Sequence, residues 1–220
     1  MIFCKECAVF LTESMCINVS EFQTSLRKRF GEQSQQFDDI CKFLINDPAS
    51  IHLKGLNVIE CSIESDAFLD RFRPFIKELG HDDDDDIFEL AFVLFGYFSY
   101  FYSGGLQGLF KGRQPDDFGP RIYLKERICS DESIQALPDV IKVYRGMSIA
   151  EYESGSFGMS WSIDEKVAKD FAFVHYHDEP RVVVQSCITK KQILFYNPEG
   201  TEGEIAVLND SITDGSILYE

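Results

Sequence analysis

Three short clusters in the last third of the chain carry residue types that could act together on a phosphorylated sugar: Tyr144-Arg145-Gly146, Ser160-Trp161-Ser162 and Glu202-Gly203-Glu204. Arginine presents a planar fork of donors that matches phosphate oxygens, and a glycine beside it lets a ligand approach the main chain. In Phe157-Gly158-Met159-Ser160-Trp161-Ser162 the two serines fall on one face of a strand and Trp161 on the other. Hydroxyls at such a strand end can hold ribose or orient a carboxylate. Glu202 and Glu204, two apart at the start of a strand, lean to one face, and Gly203 leaves room for a ligand between them. Two carboxylates so close repel unless one finds a cationic partner or a raised pKa, which makes them a candidate catalytic pair.

Each cluster also has a plain structural reading. Arg145 at a strand end can form a surface ion pair. Ser162 heads a Ser162-x-x-Glu165 capping box, and Trp161 is the size of a core anchor. Edge-strand glutamates can simply face water. Ser160 has no such structural duty.

The elements that must position these residues are short β-rich runs: 140–144, 159–162, 181–188, 192–196, 204–208 and 216–219. One helix is predicted between the second and third, over 164–174, from the spacing of Val167, Ala168, Phe171 and Val174. Before residue 135 the texture is helical. The stretch 20–46 places Phe37, Ile40, Cys41, Phe43 and Leu44 at helical spacing, and Asp47-Pro48 ends it. A strand or loop is expected at 56–63, a helix over 65–79, and a turn-rich loop over 111–120.

The most apolar run, 87–102, reads as a buried central helix terminated by Gly104-Gly105. It holds Glu89, is interrupted by Gly96 and Ser99, and falls short of the ~20 apolar residues that a membrane span needs. Asp82 to Asp86 ahead of it is read as a solvated helix lead-in, because consecutive side chains diverge and cannot all ligate one ion. The expected architecture is therefore α+β: a helical N-terminal region, 1–135, packed on a small β-rich core, 136–220.

Composition bounds the partners. The 220 residues carry a net charge of −16, with 45% hydrophobic residues, enough for a core without staples. An acidic surface repels phosphate backbones, so nonspecific nucleic-acid binding is disfavoured and basic protein targets are favoured. The seven cysteines are odd in number, and the N-terminus lacks a secretory pattern, which predicts a cytoplasmic location. Cys4 and Cys7 form a CxxC, but no second CxxC or paired histidines follow, so they are read as free thiols and no metal is expected.

Taken together, the Arg145, Ser160-Trp161-Ser162 and Glu202-Gly203-Glu204 motifs, the helix directly after the serines and the strand after it resemble the mono-ADP-ribosyltransferase superfamily, in the branch with Arg, Ser-x-Ser and Glu-x-Glu motifs. The resemblance covers about 140–220, with Trp161 where threonine is usual. It implies a split β-sheet transferase core that uses NAD as substrate, and a toxin, effector or defence protein with a possible cognate antitoxin or inhibitor. By that resemblance Arg145 grips an NAD phosphate, Gly146 offers backbone contacts to nicotinamide, and Tyr144 and Ser162 complete the NAD site. Ser160 positions Glu204, and Phe171 or Phe173 walls the nicotinamide pocket. Glu204 stabilises the ribosyl cation, and Glu202 orients or deprotonates a macromolecular acceptor, a protein arginine ahead of a nucleic-acid base.

Overall fold

The computed structural model describes residues 1–46, 70, 73–74, 77–78, 85–112, 119–176, 179–198, 200–208, 211–212 and 214–219. The expected elements at 56–63 and most of 65–79, and the loop residues 113–118, lie outside the described residues. The chain divides into two compact units, Met1–Ile122 and Tyr123–Glu220.

The first unit is helical. A short helix α1 (Lys5–Val9) runs into a π turn, Phe10–Ser14. Asn18 then caps α2 (Val19–Phe30), its side chain accepting the Glu21 N–H at 3.2 Å. Gly31, at φ +56°, ends that helix in a backbone region that L side chains avoid. After a 3-10 segment, Gly31–Gln36, comes α3 (Phe37–Asn46), which buries Phe37, Ile40, Cys41 and Leu44 along the stripe that their spacing predicts. Phe3 stacks on Phe22 at 5.7 Å, and the Phe37 ring meets Phe22 edge-on at 6.2 Å, so aromatic contacts tie the N-terminus to α2 and α3.

The apolar run lies in α4 (Asp85–Gly112), where Ala91, Leu94, Phe95, Tyr97 and Phe98 are buried. The Gly104-Gly105 stop is a break rather than an end. Gly105 takes φ 59°, ψ −154°, and the chain then resumes helical geometry to Gly112, burying Leu109 and Phe110. Asp85 and Asp86 of the acidic run are the first two residues of this helix, and 82–84 lie outside the described residues. Among the described residues, no helix is long and apolar enough to cross a membrane.

The second unit is built on six antiparallel strands in the order β4-β5-β2-β1-β3-β6. They are β1 (Val140–Ser148), β2 (Ser160–Ser162), β3 (Arg181–Thr189), β4 (Ile193–Tyr196), β5 (Glu204–Val207) and β6 (Ser216–Tyr219). Each coincides with a run expected from the sequence. Three short helices accompany them: α5 (Asp131–Gln135), α6 (Ile149–Ser154) and α7 (Glu165–Asp170), the last continuing as a π turn, Phe171–His175. The chain is thus α+β.

Alternation along the strands sorts side chains into two layers. One holds Ile141, Val143, Met147, Phe157, Trp161, Val182, Val184 and Ile205 in a single core. On the opposite face α7 and its π turn press Ala168 and Ala172 onto Val183 and Tyr144. Strand β1 pairs along its whole length with β3, but with β2 at one position, Tyr144 opposite Ser162.

Candidate functional site

Arg145 is not at a strand end. Strand β1 continues three residues past it to Ser148, because the Val182 and Val183 backbone keeps pairing with Met147 and Gly146. Its parity with Ile141, Val143 and Met147 turns the side chain toward the Trp161 core layer. There the guanidinium grips Glu151 of α6 in bidentate fashion, Nε to Oε1 at 2.8 Å and Nη2 to Oε2 at 3.3 Å. Nη1 donates to the Ser160 carbonyl at 2.6 Å, bridging β1 and β2 where backbone pairing has ceased. Glu151 also accepts the Gly158 N–H at 2.9 Å, and a Cβ on Gly158 would come within 2.5 Å of Nη2. The pair is about one-fifth exposed on each side, so arginine and glutamate act as an internal strut.

The sequence reading missed Glu151 and Gly158. A signal was available in Ser148-x-x-Glu151, a capping pattern whose serine does accept the Glu151 N–H at 3.1 Å. The glutamate side chain turns to Arg145 instead of back to the cap.

The serines and Glu204 come together on the other face. Tyr144 lies opposite Ser162, and Ser162 lies opposite Glu204, a continuous row across β1, β2 and β5. Directly opposed side chains of an antiparallel pair have Cβ atoms about 5 Å apart. Ser160 stands opposite Ala206, which makes it the diagonal neighbour of Glu204 rather than the facing one. The face-to-face partner is Ser162.

Ser162 is 94% buried by its 6% exposure, and its hydroxyl has two fixed duties. It donates to the Glu202 carbonyl at 2.6 Å and accepts the Asp164 N–H at 2.9 Å. The cap of α7 is Asp164, whose carboxylate accepts the Lys166 N–H at 2.8 Å, so the expected Ser162-x-x-Glu165 box does not form. Asp164 wins because it immediately precedes the helix, leaving Ser162 to brace the turn before β5.

Glu202 and Glu204 do not share a strand face. Strand β5 begins at Glu204, and Gly203 takes φ +52°, which ends the alternation that their spacing suggested. The room expected beside Gly203 is filled by Ile163, whose Cγ1 would be 2.7 Å from an added Cβ, while the Ile163 N–H donates to the Gly203 carbonyl at 3.1 Å. Glu202 stands exposed on the turn and Glu204 is half-buried at the strand start.

Gly146 is bare for a packing reason. A Cβ there would collide with the Ala168 carbonyl oxygen and lie 2.7 Å from the Ala172 nitrogen, so glycine is what lets α7 lie on β1. Phe171 opens the π turn and meets His175 edge-on at 5.5 Å and Tyr176 at 6.4 Å, while Phe173 is exposed. On the outer side of α7, Glu165 bonds Lys169 at 2.9 Å and accepts the Tyr219 hydroxyl at 2.8 Å. Lys169 chiefly, then Tyr219, lowers the Glu165 pKa, and the Tyr219 hydroxyl chiefly, then Glu165, raises that of Lys169.

Compared with known proteins, the chain matches no family model, no curated protein and no solved structure. Its own geometry therefore carries the functional argument. Tyr144, Ser160, Ser162 and Glu204 share one face of the sheet with Gly146 and α7, and Arg145 faces the other.

Proposed function

We propose that the chain is an NAD-dependent mono-ADP-ribosyltransferase that modifies a macromolecule, acting as a toxin, effector or defence protein in a cytoplasm. The observation that carries this reading is the cross-strand row of Tyr144, Ser162 and Glu204 beside the narrow join of β1 and β2. A half-buried carboxylate at the head of a strand, with Tyr144 and Ser160 on the same face and Ser162 bracing the turn before it, suits stabilisation of the positive charge that grows on a ribosyl carbon as nicotinamide departs. The glycosidic C–N bond breaks with its electron pair leaving on nicotinamide, and the acceptor nitrogen bonds to the same carbon. Glu202, exposed on the turn before Glu204, suits an acceptor that arrives from solvent, and it would take the proton that an arginine guanidinium releases. The net charge of −16 favours a basic protein acceptor over a nucleic acid.

A second reading, an inactive binding module, is favoured by Arg145. Its guanidinium is committed to Glu151 and Ser160 on the opposite face, and an NAD phosphate could claim it only by displacing Glu151. Incubation with labelled NAD in cell lysate, followed by protease or nuclease digestion, separates these readings. Label removed by protease supports the protein-directed transferase, and label removed by nuclease moves the acceptor to nucleic acid. No labelling, together with no release of nicotinamide, favours the module.

A further inference from the structure

We propose that Cys4, Cys7, Asp38 and Cys41 of the helical unit form a closed structural zinc site. The sequence holds one CxxC, Cys4 and Cys7, and no other, but it also holds Asp38-x-x-Cys41 with the same spacing and a carboxylate in place of one thiol. Residues three apart on a helix present their side chains to one side. The first pair sits at the head of α1 and the second in the first turn and a half of α3.

The fold brings the two pairs together. The ligand atoms of Cys4, Cys7 and Asp38 all lie within 4.8 Å of one another. The Cys7 thiol donates to the Asp38 backbone carbonyl at 3.8 Å, and Cys41, buried one turn further along α3, bears electrostatically on the Cys7 thiol. Tetrahedral zinc with bonds of about 2.3 Å to sulfur places its donors about 3.8 Å apart, a spacing the Cys4, Cys7 and Asp38 atoms approach, and Cys41 would supply the fourth donor by turning its thiol toward them. Cys7 and Cys41 are fully buried and Cys4 half-buried, as a closed site requires.

The supporting contacts argue for a metal over a disulfide. Asp38 is oriented by the Cys4 N–H at Oδ1, 2.8 Å, and by Lys42 at Oδ2, 2.7 Å, which leaves each oxygen a lone pair for an ion. Lys42 also offsets part of the surplus negative charge of three thiolates and a carboxylate around a divalent cation, the usual task of an outer partner. A disulfide would have no use for a carboxylate among the thiols. Three soft sulfur donors with one oxygen suit zinc better than magnesium or calcium, which take oxygen shells.

The test is metal analysis of the full-length protein purified without chelator, with cobalt substitution as a second readout. One zinc per chain is expected, together with a cobalt-thiolate charge-transfer band and the strong visible absorption of a tetrahedral site. Cys7→Ser and Cys41→Ser should each lose the metal, Cys16→Ser and Cys129→Ser should keep it, and Lys42→Ala should weaken it by about tenfold. Asp38→Cys should retain a tetrahedral cobalt spectrum with a stronger thiolate band. Should the serine variants fail to fold, the wild-type protein still decides: a chelator should remove the zinc, lower the melting temperature and expose the three thiols to a thiol reagent. Wild-type protein that neither carries nor takes up zinc or cobalt would overturn the site. So would zinc content unchanged in Cys7→Ser and Cys41→Ser, or a disulfide between Cys7 and Cys41 found by mass.

Discussion

Arg145 and Glu204 stand on β1 and β5 with β2 between them, and they use their charges in opposite ways because strand parity sends them to opposite faces. Arg145 shares its face with Ile141, Val143, Met147 and Trp161, where an unpaired charge would be costly, and Glu151 and the Ser160 carbonyl satisfy it from within the protein. Glu204 shares its face with Ser162 and Tyr144, at the head of a strand and next to an exposed turn. The first arrangement holds the sheet together where β1 and β2 stop pairing. The second leaves a half-buried carboxylate beside an exposed turn, the arrangement on which the proposed chemistry rests. Motif spacing along a strand therefore carries less information than motif parity, since residues of one signature can lie on both sides of the sheet.

The sharpest way to break this comparison is to remove each charge and ask what is lost. Glu204→Gln should abolish ADP-ribose transfer, more than tenfold in rate and so more than ~1.4 kcal/mol in barrier, while the protein stays folded. A variant that keeps a tenth of the activity would remove Glu204 from the chemistry.

Arg145→Leu should behave the other way round. Breaking a buried ion pair by removing one partner costs ~3–5 kcal/mol, and the partial exposure of this pair brings the expected loss to about 2–3 kcal/mol of stability, read by chemical denaturation. Because the loss comes from stranding Glu151, Arg145→Leu combined with Glu151→Leu should be milder than the sum of the singles, a coupling that a double-mutant cycle measures directly. Additive effects would mean that the ion pair does not brace the sheet and that Glu151 does not hold the Arg145 guanidinium away from a ligand.

Much of this unit was legible in the sequence. Six runs of β-forming residues correspond to six strands, but ending the first at residue 144 hid the alternation Ile141, Val143, Arg145, Met147 that puts the arginine on the core face. What was not legible came from single backbone or long-range events. Gly203 could have continued the strand, and its left-handed φ, which removes Glu202 from the face of Glu204, depends on Ile163 packing from across the turn. The engagement of Arg145 with Glu151 needed α6 to fold back along β1. In the helical unit, Phe37, Ile40, Cys41 and Leu44 announced α3, whereas the meeting of its Asp38-x-x-Cys41 with Cys4-x-x-Cys7 spans more than thirty residues of chain.

Gly146 tests the same comparison from the α7 side, with a smaller effect. Gly146→Ala adds one methyl where the Ala168 carbonyl and the Ala172 backbone leave no space, and overpacking of this kind typically costs ~1–3 kcal/mol. If α7 moves outward to make room, Phe171 moves with it, and transfer activity should fall along with stability. Loss of activity at unchanged stability would instead favour a direct ligand contact at Gly146.

The smallest effect is expected at the exposed rim of that face, where Glu165, Lys169 and Tyr219 meet. The Glu165 pKa is lowered in the folded protein, so its contribution is present above the ordinary carboxylate value of ~4.3 and is lost as pH falls through the lowered one. That of Lys169 is raised, so its contribution is present below the ordinary lysine value of ~10.4 and is lost as pH rises through the raised one. Tyr219→Phe keeps the ring beneath the ammonium, whose nitrogen lies 3.7 Å from the ring centre, and removes the hydroxyl that both charges use. The difference in melting temperature between the two proteins should hold steady between those two values and shrink toward either extreme, and added salt should weaken the ionic part that remains in both. A difference that stays constant through the acid limb would show that the hydroxyl supports β6 by packing alone, with the charges on α7 contributing nothing to it.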